Sequence, residues 1–334
     1  MKRALLLFDT PVFHPRGYEY KQEFREDDWM TEDEVYRALK QCGYEVRLLG
    51  LHDDLSVLFE EIDHTSPDFI FNLTEVFRQK THYDKHVAAL LEMLEIPYTG
   101  ASAECLFLCG DKGLTKKILR FHRIQVPRFY VFYRNQRVWL PKRLRMPLIV
   151  KPLQEEASRG ISQASLVEDE QALIERVRFL HDHYHADAIA EEYIDGREFY
   201  VSILGNRRLQ VLPVREMKFG QIHDDEPRIA TYKAKWDYEY RERKGIKNVF
   251  PGKLPNGLQE RIEETCKRAY RALNMQCYAR FDVRVNAQGR IYVLEANANP
   301  CLSRYDELAE SAVKADIPYV KLIQRIVRMA LKRT

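Results

Sequence analysis

The chain has 334 residues, of which 53 are lysine or arginine and 50 are aspartate or glutamate, so the formal net charge is only +3. With 45% hydrophobic residues and 31% charged residues of both signs, the composition excludes a disordered protein and a basic nucleic-acid-binding tail. At roughly 100–200 residues per domain, the length predicts two or three domains. The near-neutral total still allows a locally basic pocket for an anionic ligand.

The start of the chain and its cysteines limit where the protein works. The apolar run Ala4–Phe8 ends at Asp9 and is too short for a signal peptide or a membrane span. The six cysteines form no CxxC pair and no regular framework, which predicts free thiols in a reducing, cytoplasmic compartment. Cys105 and Cys109 lie one helical turn apart, and we expect them to pack on one helix face.

Residues 1–100 alternate between strand and helix patterns. Short apolar runs predict buried strands, and apolar residues three and four positions apart predict helices. Thr31–Glu34 has the form of a capping box, so we expect a helix to start there and to end at Gly43. The order predicts a small parallel α/β domain, with strands at Ala4–Phe8, Tyr44–Leu49, Asp68–Asn72 and from Pro97, and a second helix at His86–Leu94.

Residues 101–190 are expected to form a second unit. It begins with two short helices broken near Gly110 and Gly113 and includes the polar loop Gln154–Gly160. A helix starts near the acidic Asp169 and runs to Leu180. Strands are expected at Arg128–Phe132, Pro147–Val150, Ala188–Tyr193, Phe199–Leu204 and Leu209–Val214, the last two beyond the unit.

The remainder, 191–334, is expected to form the third unit. Its segment from Lys218 to Pro255 is charged, aromatic and irregular, and a loop of that length is usually functional or mobile. With no internal repeat and no low-complexity linker, the three units are expected to interlock. After that segment we expect a helix over Leu258–Leu273, strands at Cys277–Val285 and Arg290–Glu295, and a C-terminal helix.

The predicted C-terminal hairpin carries the strongest chemical signal. Strand alternation places Arg280 and Asp282 on one face of one strand, and Glu295 and Asn297 on one face of the next. Oxygen ligands beside an arginine suit a magnesium ion that bridges phosphates. Cross-strand charge pairs on a surface are the alternative, but they would leave charge buried at the end of an apolar strand.

Several lysines lie in positions suited to polyphosphate oxygens. Lys151 ends a buried strand, Lys112 opens a helix, and Lys233 and Lys235 lie among aromatic residues. For each of them taken singly, a solvated lysine is the alternative. The stretch Ala190–Glu198 places carboxylates at a strand junction, where they suit a ribose or a purine, although a charged turn has the same composition.

Other motifs carry little weight. The run of His181, His183 and His185 suggests a metal site, but spacing of two residues on a helix does not bring three rings together, so a solvated helix end is favoured. The sequence contains no GxGxxG, no GxxxxGK(S/T) and no GxSxG.

Taken in order, these motifs resemble the ATP-grasp superfamily, and within it the D-alanine–D-alanine ligase-like group. The resemblance covers nearly the whole chain and implies an α/β fold, in which the small parallel N-terminal domain precedes a two-lobed ATP-grasp fold with antiparallel sheets. The matching stretches are Ile96–Gly100 with Asp111 and Lys112, Ile149–Pro152, Glu191–Ile194 with Glu198, Tyr232–Trp236, Arg280 with Asp282, and Glu295–Asn297.

The resemblance implies a function and a set of site residues. The implied enzyme is an ATP-dependent ligase that joins a small-molecule carboxylate, from an amino acid or small peptide, to an amine through an acylphosphate, releasing ADP and phosphate. It implies Mg²⁺, with Mn²⁺ as an alternative, no nucleic-acid or membrane partner, and a homodimer by analogy. The implied catalytic residues are Arg280 and Lys235, the metal ligands Asp282, Glu295 and Asn297, and the nucleotide contacts Lys112, Lys151, Glu191, Tyr193, Ile194, Glu198 and Lys235.

The chain also departs from that family. Ala157 replaces the serine expected in the loop after Lys151, and the N-terminal Pro11–Tyr20 lacks the glycine-rich opening. Asp306 replaces the serine that holds the acceptor's carboxylate, and an aspartate there would repel a carboxylate and favour a cationic or carboxylate-free amine. The residues expected to contact substrate are Asn299, Ser303 and Asp306.

These departures leave alternatives open. They predict a ligase outside the synthesis of D-alanyl-D-alanine. An authentic D-alanine–D-alanine ligase with a divergent loop, a small-molecule kinase on the same fold, and a nucleotide-binding regulator without turnover remain as alternatives.

Overall fold

The structure, a computed structural model, describes residues 1–155, 159–220 and 228–333. The expected polar loop Gln154–Gly160 and the segment Lys218–Pro255 are therefore described in part. Ala157, where the family's loop serine was expected, lies outside the described residues. Among the residues that are described, no helix is long and apolar enough to cross a membrane.

The first part of the chain forms the parallel α/β layer that the sequence predicts. Its three strands pair in parallel in the order β2-β1-β3. The strand expected from Pro97 is a single bridge between Tyr98 and Ile70. The helix at Ser56–Thr65 was not predicted. The elements are β1 (Arg3–Asp9), α1 (Met30–Gln41), β2 (Glu45–Leu51), α2 (Ser56–Thr65), β3 (Phe69–Asn72) and α3 (Asp84–Met93).

The start of α1 differs from the predicted capping box. The helix begins at Met30, and the residue before it, Trp29, makes no side-chain cap. Thr31 therefore lies inside the first turn, and its Oγ1 lies 3.7 Å from the Cys301 Sγ. The capping prediction was wrong because the Thr31 hydroxyl has a tertiary partner from the far end of the chain.

The middle of the chain forms an antiparallel sheet in the order β4-β7-β5-β6. The predicted break between its first helices lies at Asp111, not at Gly113, which is buried inside the second helix. A Cβ on Gly113 would lie 2.8 Å from the Val131 Cγ2, so close packing requires the glycine there. The elements are α4 (Ala103–Gly110), α5 (Lys112–Phe121), β4 (Phe129–Phe132), β5 (Leu148–Pro152), β6 (Leu166–Val167), α6 (Glu170–His183) and β7 (Ala188–Glu192).

The last part forms a larger antiparallel sheet in the order β11-β10-β8-β12-β13, with β9 beside β8. Of the strand expected at Leu209–Val214, only Gln210–Val211 forms a strand, and the next strand begins at Arg215. The segment expected to be irregular contains two helices and a strand. The elements are β8 (Arg197–Leu204), β9 (Gln210–Val211), β10 (Arg215–Lys218), α7 (Tyr232–Trp236), α8 (Tyr238–Lys244), β11 (Lys247–Val249), α9 (Leu258–Ala272), β12 (Tyr278–Val285), β13 (Ile291–Asn297), α10 (Glu307–Lys314) and α11 (Tyr319–Ala330).

The core joins the two ends of the chain. Both faces of β1 are buried, as is usual for a strand of a parallel sheet: Leu5 and Leu7 belong to one apolar cluster, and Leu6 and Phe8 to another. The second cluster also contains Leu322 and other residues of α11, which packs against α1. The three predicted units therefore share core residues, and their boundaries at 100 and 190 stay a prediction.

Candidate active site

The hairpin of β12 and β13 brings the predicted polar residues together. Its register places Asp282 opposite Glu295 and Arg280 opposite Asn297. The Arg280 Nε donates to the Asp282 Oδ1 at 2.8 Å, and the Asn297 Nδ2 lies 3.3 Å from that oxygen. Asp282 is only 3% exposed, so its charge depends on these neighbours.

Lys235 reaches the same carboxylate from the segment that was expected to be irregular. Its Nζ lies 3.4 Å from the Asp282 Oδ2. The Thr231 hydroxyl caps α7 by accepting from the Ala234 N–H at 3.2 Å, and this short helix directs Lys235 inward while Lys233 is exposed. Of the two lysines, Lys235 is therefore the one that joins the hairpin.

Buried lysines of α5 and β5 lie beside the hairpin and the end of β7. The Lys112 Nζ lies 3.2 Å from the Glu295 Oε1, and the Lys151 Nζ lies 3.1 Å from the Glu191 Oε1. Lys116, which the sequence analysis missed, lies 3.4 Å from the same Glu191 oxygen. The signal for Lys116 was its spacing of four residues from Lys112, which puts both on one face of α5.

Burial and charge act against each other at these residues. Burial by itself would raise the pKa of Glu295, but Lys112, Lys151 and Lys235 outweigh it and lower that pKa below its usual range. Burial lowers the pKa of Lys116 to about 8, against the attraction of Glu191. For Lys151, burial is outweighed by Glu191 and Glu295, and its pKa is raised. The carboxylates thus keep most of the buried cations charged near neutral pH.

Lys151, Lys235, Glu191 and Glu295 line a first cleft, which encloses about 630 Å³ of space open to solvent. Strand β7 and the turn that follows it form one wall. Its polar and charged lining includes Lys151, Glu191, Tyr193, Glu198, Lys235, Asp282, Arg284 and Glu295, and its apolar lining includes Pro127, Ile149, Ile161, Ile194, Ile229 and Leu294. The mixture of apolar walls and convergent charges is typical of a small-molecule site.

Arg284 holds the turn that follows β7, and the sequence analysis missed this residue. Its Nε and Nη2 donate to the Glu198 Oε2 at 3.0 and 2.8 Å, and its Nη1 donates to the Ile194 carbonyl at 2.8 Å. Its guanidinium carbon lies 5.1 Å from the centre of the Tyr193 ring. Strand alternation could have predicted this position, because Arg284 is two residues from Asp282 on β12. It lies opposite Glu198 of the neighbouring strand β8.

A second cleft adjoins the first and shares Lys235 and Glu295 with it. Arg280, Asn297 and Asp306 line it. It is also lined by Tyr200, Met217, Trp236, Tyr238, Arg241, Asn248, Tyr305 and Glu307.

Two of the predicted substrate residues lie elsewhere. The Asn299 Oδ1 accepts from the Ala101 N–H at 2.8 Å, and Asn299 lies against Gly100, so it holds the connection to the first unit. Ser303 is buried, and its backbone N–H donates to the Cys301 Sγ at 3.4 Å. Neither lines a described cleft, and their contact with substrate stays a prediction.

The remaining motifs behave as packing or surface features. The Cys105 and Cys109 Sγ atoms lie 3.9 Å apart on α4, and all six cysteines are free. The His181 Nε2 lies 3.1 Å from the Phe132 carbonyl, and His183 is exposed. Across the described residues, no group of three or more His, Cys, Asp or Glu side chains is arranged to hold a metal ion.

Comparisons with known proteins agree with this arrangement. The family model described as D-ala D-ala ligase C-terminus matches residues 119–328. The uncharacterized protein y4sG of Sinorhizobium fredii is 32% identical over 306 residues, covering 90% of this chain and 87% of that protein. A D-alanine–D-alanine ligase of Pelobacter propionicus is 33% identical over 252 residues, covering 74% of each.

A solved structure shares the fold. The D-alanine–D-alanine ligase of Bacillus anthracis, crystallised with ATP, superposes with a TM-score of 0.74 at 24% identity and covers 99% of this chain and 98% of its own. The parallel N-terminal sheet and the two antiparallel sheets confirm the predicted fold class. From the family model and the curated relatives together, the chain belongs to the D-alanine–D-alanine ligase family of ATP-dependent carboxylate–amine ligases.

Proposed function

We propose that this ligase binds ATP in the first cleft and transfers its terminal phosphoryl group to the carboxylate of an amino acid or small peptide. The observation that carries the proposal is the convergence of Lys112, Lys235 and Arg280 within 3.4 Å of the paired carboxylates of Asp282 and Glu295. Cations and carboxylates alternate around Lys235 and Glu295, which line both clefts, as the binding of a metal–polyphosphate complex requires.

The donor set fits magnesium. Asp282 and Glu295 supply carboxylate oxygens and Asn297 an amide oxygen, which are hard ligands of the kind that Mg²⁺ or Mn²⁺ takes. We infer that these three residues hold the ion. When bound, it would neutralise charge on the phosphates during transfer.

At the other end of the first cleft, we assign the base and ribose of ATP to the end of β7 and the turn that follows it. The stretch from Glu191 to Ile194 supports the proposal because its residues line the cleft beside Glu198. Glu198, at the start of β8, is held at its Oε2 by Arg284 and directs its carboxylate into the cleft for a ribose hydroxyl. Tyr193 and the apolar side chains of the cleft supply the walls.

The reaction then proceeds in two steps, phosphoryl transfer and amide formation. A carboxylate oxygen forms a bond to the γ-phosphorus while the bond to the β-phosphate oxygen breaks, and ADP leaves with the electron pair. Lys112, Lys151 and Lys235 offset the phosphate charge. An amine nitrogen then forms a bond to the acyl carbon, phosphate leaves with the electron pair of the broken C–O bond, and the amine's proton passes to water. Arg280 stabilises the charge that develops on the acyl oxygen.

A second candidate is the ligation of two D-alanine molecules. The Pelobacter propionicus relative with that name favours it, being 33% identical over 74% of this chain. The two candidates share the acylphosphate and differ in the acceptor. Robust formation of D-alanyl-D-alanine from D-alanine by the purified protein would favour the second.

We also propose that the enzyme works in the cytoplasm and forms a homodimer through its N-terminal part. The six free thiols support the first proposal, since cytosolic proteins keep their cysteines reduced. The second rests on analogy within the family. Light scattering coupled to size exclusion tests it: a mass of 39.6 kDa would be that of a monomer and would contradict it.

Trapping with hydroxylamine tests the function without knowledge of the acceptor. The purified protein is incubated with ATP, Mg²⁺, D-alanine and a pool of amino acids, and hydroxylamine converts any acylphosphate to a hydroxamate that mass spectrometry identifies. We expect hydroxamate and ADP in equal amounts. ADP without hydroxamate, together with a stable phosphorylated product, would favour the kinase alternative.

The variant Asp282→Asn tests the assignment of the metal ligand. It keeps the shape of the side chain but removes the charge that Arg280 and Lys235 share, and we expect hydroxamate formation to fall at least about a hundredfold. Glu239→Gln, at an exposed position of α8, makes the same chemical change outside both clefts and is expected to retain activity. Full activity of Asp282→Asn would contradict the metal site.

A further inference from the structure

The second cleft is the space in which an acceptor can approach the activated carboxylate. It continues from the first cleft through Lys235 and Glu295, and Arg280 lines it. The part of an acceptor molecule that does not react beside Arg280 must therefore contact the outer walls of this cleft. Those walls decide which class of amine is accepted.

The outer part of the second cleft holds two carboxylates, Asp306 and Glu307, at the start of α10. The Asp306 Oδ1 accepts the N–H of Glu307 at 2.6 Å, while the nearest nitrogen of Arg280 lies 3.8 Å away. Arg280 donates instead to Asp282, at 2.8 and 3.4 Å. Asp306 is thus the helix cap and keeps a charge that its neighbours do not fully neutralise.

Arg215, the cation that pairs with Glu307, also contacts Glu310 and Asn248. The Arg215 Nε lies 3.2 Å from the Glu307 Oε2, its Nη1 lies 3.4 Å from the Glu310 Oε2, and its Nη2 donates to the Asn248 carbonyl at 2.8 Å. One guanidinium therefore faces two carboxylates. Arg241, which lines the second cleft together with Lys235 and Arg280, donates through Nη1 to the Ala234 carbonyl at 2.6 Å.

One acceptor atom in this wall lacks a donor. Within the described residues, the buried Asn248 Oδ1 has no hydrogen-bond partner, and the Glu307 Oε2 has only its ion pair with Arg215 at 3.2 Å. The Asn248 Nδ2 donates to the other oxygen of Glu307, which fixes the orientation of the amide. Buried acceptors of this kind require N–H or O–H donors from a ligand or from water.

Aromatic rings surround the same space. The Tyr200 ring already lies under cations, with the Lys235 Nζ at 5.8 Å and the Arg280 guanidinium at 5.5 Å from its centre. Trp236, Tyr238 and Tyr305 contribute exposed rings to the lining. Such rings attract positive charge at their faces.

From these walls, and resting on the proposed function, we propose that the acceptor is a diamine. One amine nitrogen attacks the acyl carbon beside Arg280, while the second, protonated amine binds at Asp306, Glu307 and Asn248. An ammonium offers three N–H donors, which match the two carboxylates and the unpartnered Asn248 Oδ1. A free amino acid would bring its own carboxylate toward Asp306, where like charges repel.

The test uses 1,4-diaminobutane and D-alanine as competing acceptors. Each is added to the ATP-dependent reaction used for hydroxylamine trapping, and amide products are measured by mass spectrometry. We expect kcat/KM for the diamine to exceed that for D-alanine by at least about tenfold. If hydroxamate forms but D-alanine is the better acceptor, the inference is overturned and the proposed function stands. If no hydroxamate forms, both fail.

Variants locate the specificity. Asp306→Asn keeps a side chain that can cap α10 but removes the charge. We expect it to lower the ratio of diamine product to hydroxamate about tenfold, and Glu307→Gln to act in the same direction. Glu239→Gln, outside the cleft, is the control with an unchanged ratio. An unchanged ratio in both cleft variants would overturn the inference, whatever the wild-type preference.

Discussion

At the scale of single residues, the site depends on charges that are buried in pairs. Glu191 was expected to contact the nucleotide, and it lines the first cleft, but its Oε1 lies between Lys116 and Lys151. All three side chains are nearly inaccessible to water. Removing one partner of such a group leaves an uncompensated charge, which costs about 3–5 kcal/mol. We therefore assign to Glu191 the positioning of two lysines as well as contact with the base.

Arg284 should control the affinity for ATP. Arg284→Lys keeps the charge but loses the planar fork that holds both Glu198 and the Ile194 carbonyl. We expect KM for ATP to rise about tenfold while kcat changes less than threefold, since the reacting groups lie at the other end of the cleft.

Steady-state kinetics with varied ATP measure this separation. Arg290→Lys, at an exposed position near the start of β13, makes the same exchange outside the cleft and should leave both constants unchanged. An unchanged KM for ATP in Arg284→Lys would contradict the positioning role.

Glu32 should make stability depend on pH. Burial, with a smaller contribution from Asp9, raises the pKa of Glu32 to about 7. In the unfolded chain the group ionises near its ordinary pKa, so the folded state binds the extra proton between about pH 4.5 and 7. Stability therefore falls as pH rises through this interval and stays lowered above it.

Glu32→Gln removes that dependence. We expect the variant to match the wild type near pH 5 and to exceed its free energy of unfolding by about 2 kcal/mol at pH 8, as measured by urea denaturation. Glu60→Gln, at an exposed position on α2, is the control and should change little at either pH. Equal effects of Glu32→Gln at both pH values would contradict the raised pKa.

At the scale of elements, the turn between β7 and β8 connects the two antiparallel sheets beside the first cleft. Gly196 has φ +147, and a Cβ there would lie 2.1 Å from the Val285 carbonyl oxygen and 2.9 Å from the Asn286 Cα. Only glycine has this backbone freedom and lets the turn approach the end of β12 so closely. This turn sets the positions of Ile194 and Glu198.

Gly196→Ala should therefore disturb both stability and nucleotide binding. Because the atoms it meets belong to the backbone, we expect a loss of about 2–4 kcal/mol in the free energy of unfolding and weaker binding of ATP. Gly252→Ala, which meets nothing within 4 Å, is the matched control and should lie within about 0.5 kcal/mol of the wild type. Equal stability of the two variants would contradict the close approach.

At the scale of the whole molecule, α11 ties the end of the chain to its beginning. Leu322, Ile323, Ile326 and Val327 are fully buried in the cluster that contains Leu6 and Phe8 of β1. The hairpin that carries Asp282 and Glu295 precedes this helix in the chain. Packing of α11 therefore couples the N-terminal layer to the part of the protein that carries the site.

Leu322→Ala tests that coupling. We expect a loss of about 2–5 kcal/mol, as for a large-to-small change in a core, and a lower Tm for one common transition of the whole chain. Val313→Ala, at an exposed apolar position of α10, is the control with little effect. Calorimetry that shows a separate N-terminal transition at an unchanged Tm would contradict a shared core.

Much of this arrangement was predictable because it is local. Period-two alternation predicted that Asp282 and Glu295 lie on neighbouring strands, and their register confirms it. Apolar runs predicted β1, β2 and β3 within two residues at each end. Helix periodicity likewise predicted α6 and α9, since each of these helices buries one apolar face.

Other features depended on contacts between distant residues. Thr31 does not cap α1, because a cysteine 270 residues away is its partner. Lys235 lies on a short helix in a segment without clear periodicity, and Asn299 turns toward the connection to the first unit. Sequence spacing carries no information on such contacts.

The sequence by itself determined the fold class, the family resemblance and the identity of the charged groups, because these follow from local patterns and from motifs in a fixed order. The tertiary structure decided which charges meet. It placed Lys116 and Arg284 beside the predicted site residues, left Asn299 and Ser303 outside the two clefts, and joined Asp306 with Glu307 in one wall. The physical reason is that a buried charge is stable only beside a partner, and that partner comes from whichever distant segment the packing of the sheets brings within reach.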